Sequence, residues 1–129
     1  MKTQDEKHPL ILLYGETYGL IKILKEIFTA EGYGVCMTTD REKALDLLET
    51  QKPDVFILDV IVYSNNILQT IELIRNESDV PVIILSAQSD SLVAKNILTT
   101  DVDGCIMKPF RMRELLARVQ AKLKQSHPD

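Results

Sequence analysis

The sequence has no apolar run approaching the roughly 20 residues needed to span a bilayer. Its opening, MKTQDEKHP, lacks the apolar core of a secretory signal. These two absences argue against a membrane or secreted class, and the expected location is the cytoplasm. Cysteine is scarce: Cys36 and Cys105 lie far apart, each inside an apolar run. They offer no metal-ligand spacing. Free cysteines in such runs favour the interior, so two buried, reduced thiols are expected. A basic excess is also missing. The net charge is −4, which points away from direct nucleic-acid binding by this chain. Both histidines, His8 and His127, sit in polar tails and are expected to carry no chemistry.

What is present suits one domain with a real core. Hydrophobic residues make up 45% of the 129 and charged residues 26%. Residues 1–8 read as a loose tail and 126–129 as a polar tail or the start of a linker, which leaves 9–125 as the domain. No internal linker or close repeat interrupts it. Leu10–Tyr14, Val35–Thr38, Val55–Leu58, Val82–Leu85 and Cys105–Met107 are short apolar runs suited to strands.

After each of them, apolar residues recur at helical spacing. The first set is Leu20, Ile21, Leu24, Ile27 and Phe28; the second is Ala44, Leu45, Leu47 and Leu48. The third is Ile67, Leu68, Ile71 and Ile74, and a fourth helix runs from its cap Asp90 to about Leu98. Met112, Leu115, Leu116, Val119 and Leu123 mark the last. Thr17 and Asp40 are expected N-caps. Gly32 and Pro53 are expected to stop the first two helices, and Tyr63-Ser64-Asn65-Asn66 reads as a turn. Regular alternation with short connections implies a parallel sheet with helices on both faces.

In such a sheet, ligands bind beyond the carboxyl ends of the strands. Those ends carry Gly15-Glu16, Asp59, Ser86-Ala87 and Lys108-Pro109. Asp59 is the most telling, because it follows Val55-Phe56-Ile57-Leu58 and precedes Val60-Ile61-Val62. A charge inside so apolar a run is costly unless something pairs with it, and Lys108 is the obvious cation. Such a pair can be purely structural. It can also do chemistry, since a carboxylate is a nucleophile toward a phosphoryl group. Lys108 could then neutralise the phosphoryl oxygens and Ser86 donate a hydrogen bond. Mg²⁺ could be held by Glu16, Asp59 and the backbone carbonyl of Ile61.

These residues resemble the receiver domain of two-component response regulators, from Leu10 to about Lys124. The resemblance rests on PDVFILDV, VPVIILSA and CIMKPF in combination. The closing FRMRELLARVQAKLK is similar to receivers of the winged-helix transcription-factor subfamily. The resemblance implies a doubly wound, flavodoxin-like α/β fold with a five-stranded parallel sheet in the order 2-1-3-4-5. It implies Asp59 as phosphoacceptor, Ser86 as switch hydroxyl, Lys108 as phosphate contact and a cis Lys108-Pro109 bond. A sensor histidine kinase would be the phosphodonor. The chain would not be an enzyme beyond its own autophosphorylation and autodephosphorylation. Phosphorylation would shift the face made by the fourth helix, fifth strand and last helix, which could also join two copies as a homodimer. DNA would be reached only through an output domain absent from this chain.

The sequence departs from the family pattern at several places. Receivers usually end the first strand in two acids, and here those positions are Gly15 and Glu16. The direct metal ligand is kept as Glu16 while its water-mediated partner is lost, so Mg²⁺ is expected to bind weakly. Gly15 also removes a charge that would repel phosphate. Tyr63 and Asn66-Ile67 replace the usual proline and Asp-Gly turn. Cys105 stands at the position of a switch aromatic. Asp103-Gly104 keeps half of an acidic pair, so the subfamily's dimer bridge to Arg118 is expected to be missing. The other basic residues of the last helix read as a solvated face. These departures motivate a second reading, a pseudo-receiver acting as a phosphorylation-independent interaction or dimerisation module. A redox or nucleotide-binding enzyme of the same fold class is disfavoured, because no Gly-rich phosphate loop follows any strand.

Overall fold

The computed structural model describes residues 8–60, 65–86 and 103–126. Strands β1 (Leu10–Gly15), β2 (Gly34–Thr38), β3 (Val55–Val60), β4 (Val82–Ser86) and β5 (Gly104–Met107) form one parallel sheet in the order β2-β1-β3-β4-β5. Helices α1 (Tyr18–Ala30), α2 (Arg41–Gln51), α3 (Asn65–Glu77) and α4 (Met112–Ser126) accompany them. The helix expected from Asp90 to Leu98 lies outside the described residues, as do Ile61, Tyr63, Ala87 and His127. The fold class and strand order are those expected.

Successive side chains of a strand point to opposite faces, so each strand feeds two cores. Ile11, Leu13, Val55, Ile57, Ile83, Leu85 and Ile106 pack with Ile21, Leu24 and Phe28 of α1 and Leu115 and Val119 of α4. Leu12, Phe56, Leu58, Val60, Val82 and Ile84 pack on the other side, with Ala44 and Leu48 of α2 and Ile71 and Ile74 of α3. β3 and β4 are therefore buried along their whole length. β2 is an edge and is half-buried throughout. This is why only the central strands read as unbroken apolar runs.

Local chemistry fixes the ends of the elements. α1 closes with Gly32 at φ +98°. Its N–H donates to the Thr29 carbonyl at 3.0 Å, and the Tyr33 N–H donates to the Phe28 carbonyl at 3.1 Å. The rings of Phe28 and Tyr33 meet edge to face at 5.8 Å. Together these form the paired bonds and apolar contact of a Schellman ending. Lys52 takes the left-handed conformation that ends α2 ahead of Pro53. Thr17 and Asp40 occupy the N-cap positions, but neither side chain makes a capping hydrogen bond. Only their carbonyls start the helices, accepting from Ile21 and Ala44.

The amino edge of the sheet is clamped by two carboxylates. The Leu10 N–H donates to the Asp54 carboxylate at 2.8 Å, while the Asp54 N–H donates to the Leu10 carbonyl at 2.8 Å. The Asp103 carboxylate accepts from the Val82 N–H at 2.7 Å and pairs with Arg75 at 2.8 Å. These bonds fix the starts of β1, β3, β4 and β5 and leave the carboxyl edge for function.

Two further expectations change. Asn65-Asn66 belongs to the first turn of α3 and not to a turn before it. Cys36 and Cys105 are free but only half-buried, because each sits on an edge strand. Burial still raises both thiol pKa values, which keeps them protonated at neutral pH. His8 donates from its ring to the Gly32 carbonyl at 3.0 Å, a structural contact and not chemistry. Ala in place of Gly32 must adopt a left-handed backbone, so Gly32→Ala is expected to lower stability by about 1–2 kcal/mol. A shifted urea midpoint with an unchanged slope is the check.

Candidate functional site

The strand order reverses between β1 and β3, and open α/β sheets bind ligands in the crevice beyond that point. The register decides which side chains meet there. Gly15 of β1 pairs with Asp59 of β3, and Val60 pairs with Ser86 of β4. Ile11 and Leu13, like Val55 and Ile57, face the core shared with α1 and α4. By alternation Gly15 and Asp59 belong to that same face. Asp59 stands within β3 and not beyond it, and Ser86 is the last residue of β4.

Asp59 is only 3% exposed. Its Oδ1 pairs with Nζ of Lys108. β4 lies between β3 and the chain carrying Lys108, a separation of about two strand spacings, or roughly 10 Å. A lysine is long enough to arch over β4 and reach an aspartate that leans toward it. The root of Lys108 is anchored, since its N–H donates to the Ser86 carbonyl at 2.8 Å. The Lys108-Pro109 bond is cis, as expected.

The second oxygen of Asp59, Oδ2, is buried without a hydrogen-bond partner among the described residues. Gly15 makes room for the close approach of β1 to Asp59. A Cβ built on Gly15 would lie 3.0 Å from Oδ2, 3.0 Å from the Asp59 carbonyl oxygen and closer still to the Asp59 Cβ. The structure therefore gives Gly15 a steric role beside the loss of charge read from the sequence.

The remaining site residues divide. Ser86 is fully buried, but its register partner is Val60, so it is not level with Asp59. Glu16 is exposed just past the Gly15–Asp59 pairing. Around it lies a polar group that the sequence reading missed. Burial pushes the Tyr14 phenol above its usual pKa; Arg41 opposes this, and Glu16 and Asp40 add to it. Arg41 also donates to the buried Thr70 hydroxyl at 3.4 Å, tying α2 to α3. Nothing in the local sequence flags that contact, which spans 29 positions.

Among the described residues no group of three or more His, Cys, Asp or Glu is placed to hold a metal ion. Two oxygen sources remain, the orphaned Oδ2 of Asp59 and the carboxylate of Glu16. They fit Mg²⁺, which commonly binds through one or two carboxylates and keeps several waters.

The model of the response regulator receiver domain matches residues 11–120. The chain belongs to that family. This receiver is 38% identical over 117 residues to the transcriptional regulatory protein CpxR of Escherichia coli (strain K12), covering 91% of this chain and 50% of CpxR. It is 30% identical over 122 residues to the DNA-binding response regulator MtrA of Mycobacterium tuberculosis, covering 95% of this chain and 54% of MtrA. The chain thus spans about half the length of these relatives. Among solved structures it is similar to the receiver domain of the Francisella response regulator 1452, with TM-score 0.82 and 26% identity over 92% of this chain and 99% of that one. A two-component response regulator from Clostridium difficile shares the fold, with TM-score 0.84 and 21% identity over 93% and 99% of the two chains. Among the described residues no helix is long and apolar enough to cross a membrane.

Removing Lys108 leaves the Asp59 charge buried and uncompensated. Lys108→Met is expected to destabilise the receiver by about 2 kcal/mol at neutral pH. Adding Asp59→Asn to that variant should restore most of the loss. Equal urea midpoints for the single and double variants would show that the pair is energetically silent.

Proposed function

We propose that this receiver takes a phosphoryl group on Asp59 from a sensor histidine kinase and relays the signal to a DNA-binding output domain. The observation that carries the reading is a buried carboxylate at the switch point of the sheet, paired with Lys108 through one oxygen and, among the described residues, unpartnered at the other. In the transfer, an oxygen of Asp59 forms a bond to phosphorus as the P–N bond of the donor phosphohistidine breaks. The imidazole leaves with that electron pair. Lys108 is already at the acceptor and can follow the charge onto the phosphoryl oxygens. Ser86, at the adjacent strand end, is suited to donate a hydrogen bond once the larger group is in place.

Mg²⁺ is the cofactor this chemistry calls for, supplying further neutralisation of the phosphoryl oxygens when bound. Glu16, Asp59 and the Ile61 carbonyl would hold it, the last lying outside the described residues. With glycine at position 15 the affinity is expected to be low.

The names of the relatives support the output half of the reading, since one is a transcriptional regulator and the other a DNA-binding response regulator. Their greater length leaves room for such a domain. A homodimer through β5 and α4 would lack one contact of the winged-helix subfamily. Gly104 offers no carboxylate to a second copy, and Arg118 lies over Gly104 in its own chain, 3.5 Å from where a Cβ would sit. Arg118 also approaches Glu114 one turn earlier, at 3.8 Å. The pseudo-receiver reading is less well supported, because the acceptor Asp59 and its lysine, Lys108, are both kept and paired.

Incubation with phosphoramidate and Mg²⁺, followed by intact-mass spectrometry, tests the proposal. The wild-type chain should gain one phosphoryl group that hydroxylamine removes, and Asp59→Asn should gain none. An unmodified wild type, under conditions that modify a standard receiver, would rule the reading out.

A further inference from the structure

We infer that β2 is a self-association edge: two copies of the chain join antiparallel along Gly34–Thr38, with Cys36 facing Cys36 across a two-fold axis and the two sheets merged into one. The interface lies at the edge of the sheet opposite the face made by β5 and α4.

β2 is the terminal strand of the sheet, and each of its residues is half-buried. Edge strands that must stay single commonly carry a lysine, a proline or a bulge. Gly34-Val35-Cys36-Met37-Thr38 has no charge and no proline. Its pairing with β1 runs without a break from Gly34 to Thr38, so no bulge twists it away.

The backbone sets the register of the pairing. The Gly34 N–H donates to the Pro9 carbonyl at 3.0 Å, so it points toward β1. Backbone groups alternate in direction along a strand. Those of Gly34, Cys36 and Thr38 therefore face β1, and the N–H and C=O groups of Val35 and Met37 face outward. A two-fold at Cys36, the middle of the strand, sets Val35 of each copy against Met37 of the other. Outward groups then meet outward groups, and each such pair exchanges both of its hydrogen bonds. Cys36 meets Cys36 as a non-hydrogen-bonded pair, with α-carbons about 4.5 Å apart, a separation that a disulfide can span.

The side chains agree with that register. Val35 and Met37 pack on the core shared with α1, whereas Cys36 packs on the other face. The second copy brings its own Val35 and Met37 to the α1 side. Space for them lies there, since a groove of about 470 Å³ separates one flank of α1 from Met37. Lys25 and Glu26 line that groove and are exposed. The two-fold lays the two α1 helices antiparallel over the seam, so Lys25 of each copy can meet Glu26 of the other. An interface between like surfaces needs such self-complementarity.

Two measurements on the whole chain test the inference. Sedimentation velocity of the reduced protein should show a monomer–dimer equilibrium. Lys25→Glu places like charges across the seam and should weaken the dimer by about tenfold. Adding Glu26→Lys restores opposite charges and should recover it. Both residues are exposed, so neither change endangers folding. Oxidation of the folded protein by copper phenanthroline should then link the dimer through Cys36, as read by peptide mass mapping. Cys105, also half-buried and on an edge strand, is the control for random collision and should stay free. A wild type that is monomeric at every concentration overturns the inference. So does a dimer that leaves Cys36 reduced, links both cysteines alike or is indifferent to Lys25→Glu.

Discussion

A carboxylate on a strand covered on both faces must be neutralised from within the protein. β3 is such a strand. Its six residues are all buried, and the fifth of them is Asp59. Water cannot stabilise the charge from either side, and the cost of leaving it alone is several kcal/mol. The arrangement at the carboxyl edge follows from that constraint. Lys108 has to arch over β4, and its backbone has to be anchored to Ser86 for the arch to be placed.

The rest of the fold holds that edge in register. Asp54 and Asp103 bond the opposite edge of the sheet, where the strands begin. Strand pairing then transmits the register along five or six residues to the site. A slip of one residue between β1 and β3 would bring Tyr14 or Glu16 level with Asp59 in place of Gly15. Since side chains alternate at every residue, that slip would also turn apolar residues away from both cores. The packing of Ile11 and Leu13 with Val55 and Ile57 therefore decides which residue neighbours the acid.

Much of this was legible in the sequence. The apolar runs located each strand to within a residue or two, and helical spacing identified the inward residues of α1, α2, α3 and α4. Asp59 and Lys108 were identifiable because a charge in an apolar run needs a partner, and few cations sit at strand ends. The errors share a cause. Thr17 and Asp40 have the right residue types for side-chain caps, yet their hydrogen bonds depend on rotamers that no local pattern fixes. The cysteines lie in apolar runs but on edge strands, and edge position is a property of strand order. Asp103 was read only as the surviving half of an acidic pair, with no partner assigned to it. In the fold it clamps Arg75 and β4, a contact across 28 positions.

Composition and periodicity by themselves determined the class of fold, the inward faces of the helices and the identity of the acid and its lysine. Those are consequences of burying apolar surface, and burial is written into residue type and spacing. Only the tertiary structure decided what Gly15 does. On the page of the sequence it is a missing acid beside Glu16. In the sheet it is a hollow against the side chain of Asp59, because parallel pairing brings two residues 44 positions apart to the same level on the same face. Register is a long-range property, and a contact made by the absence of a side chain leaves no mark in local sequence.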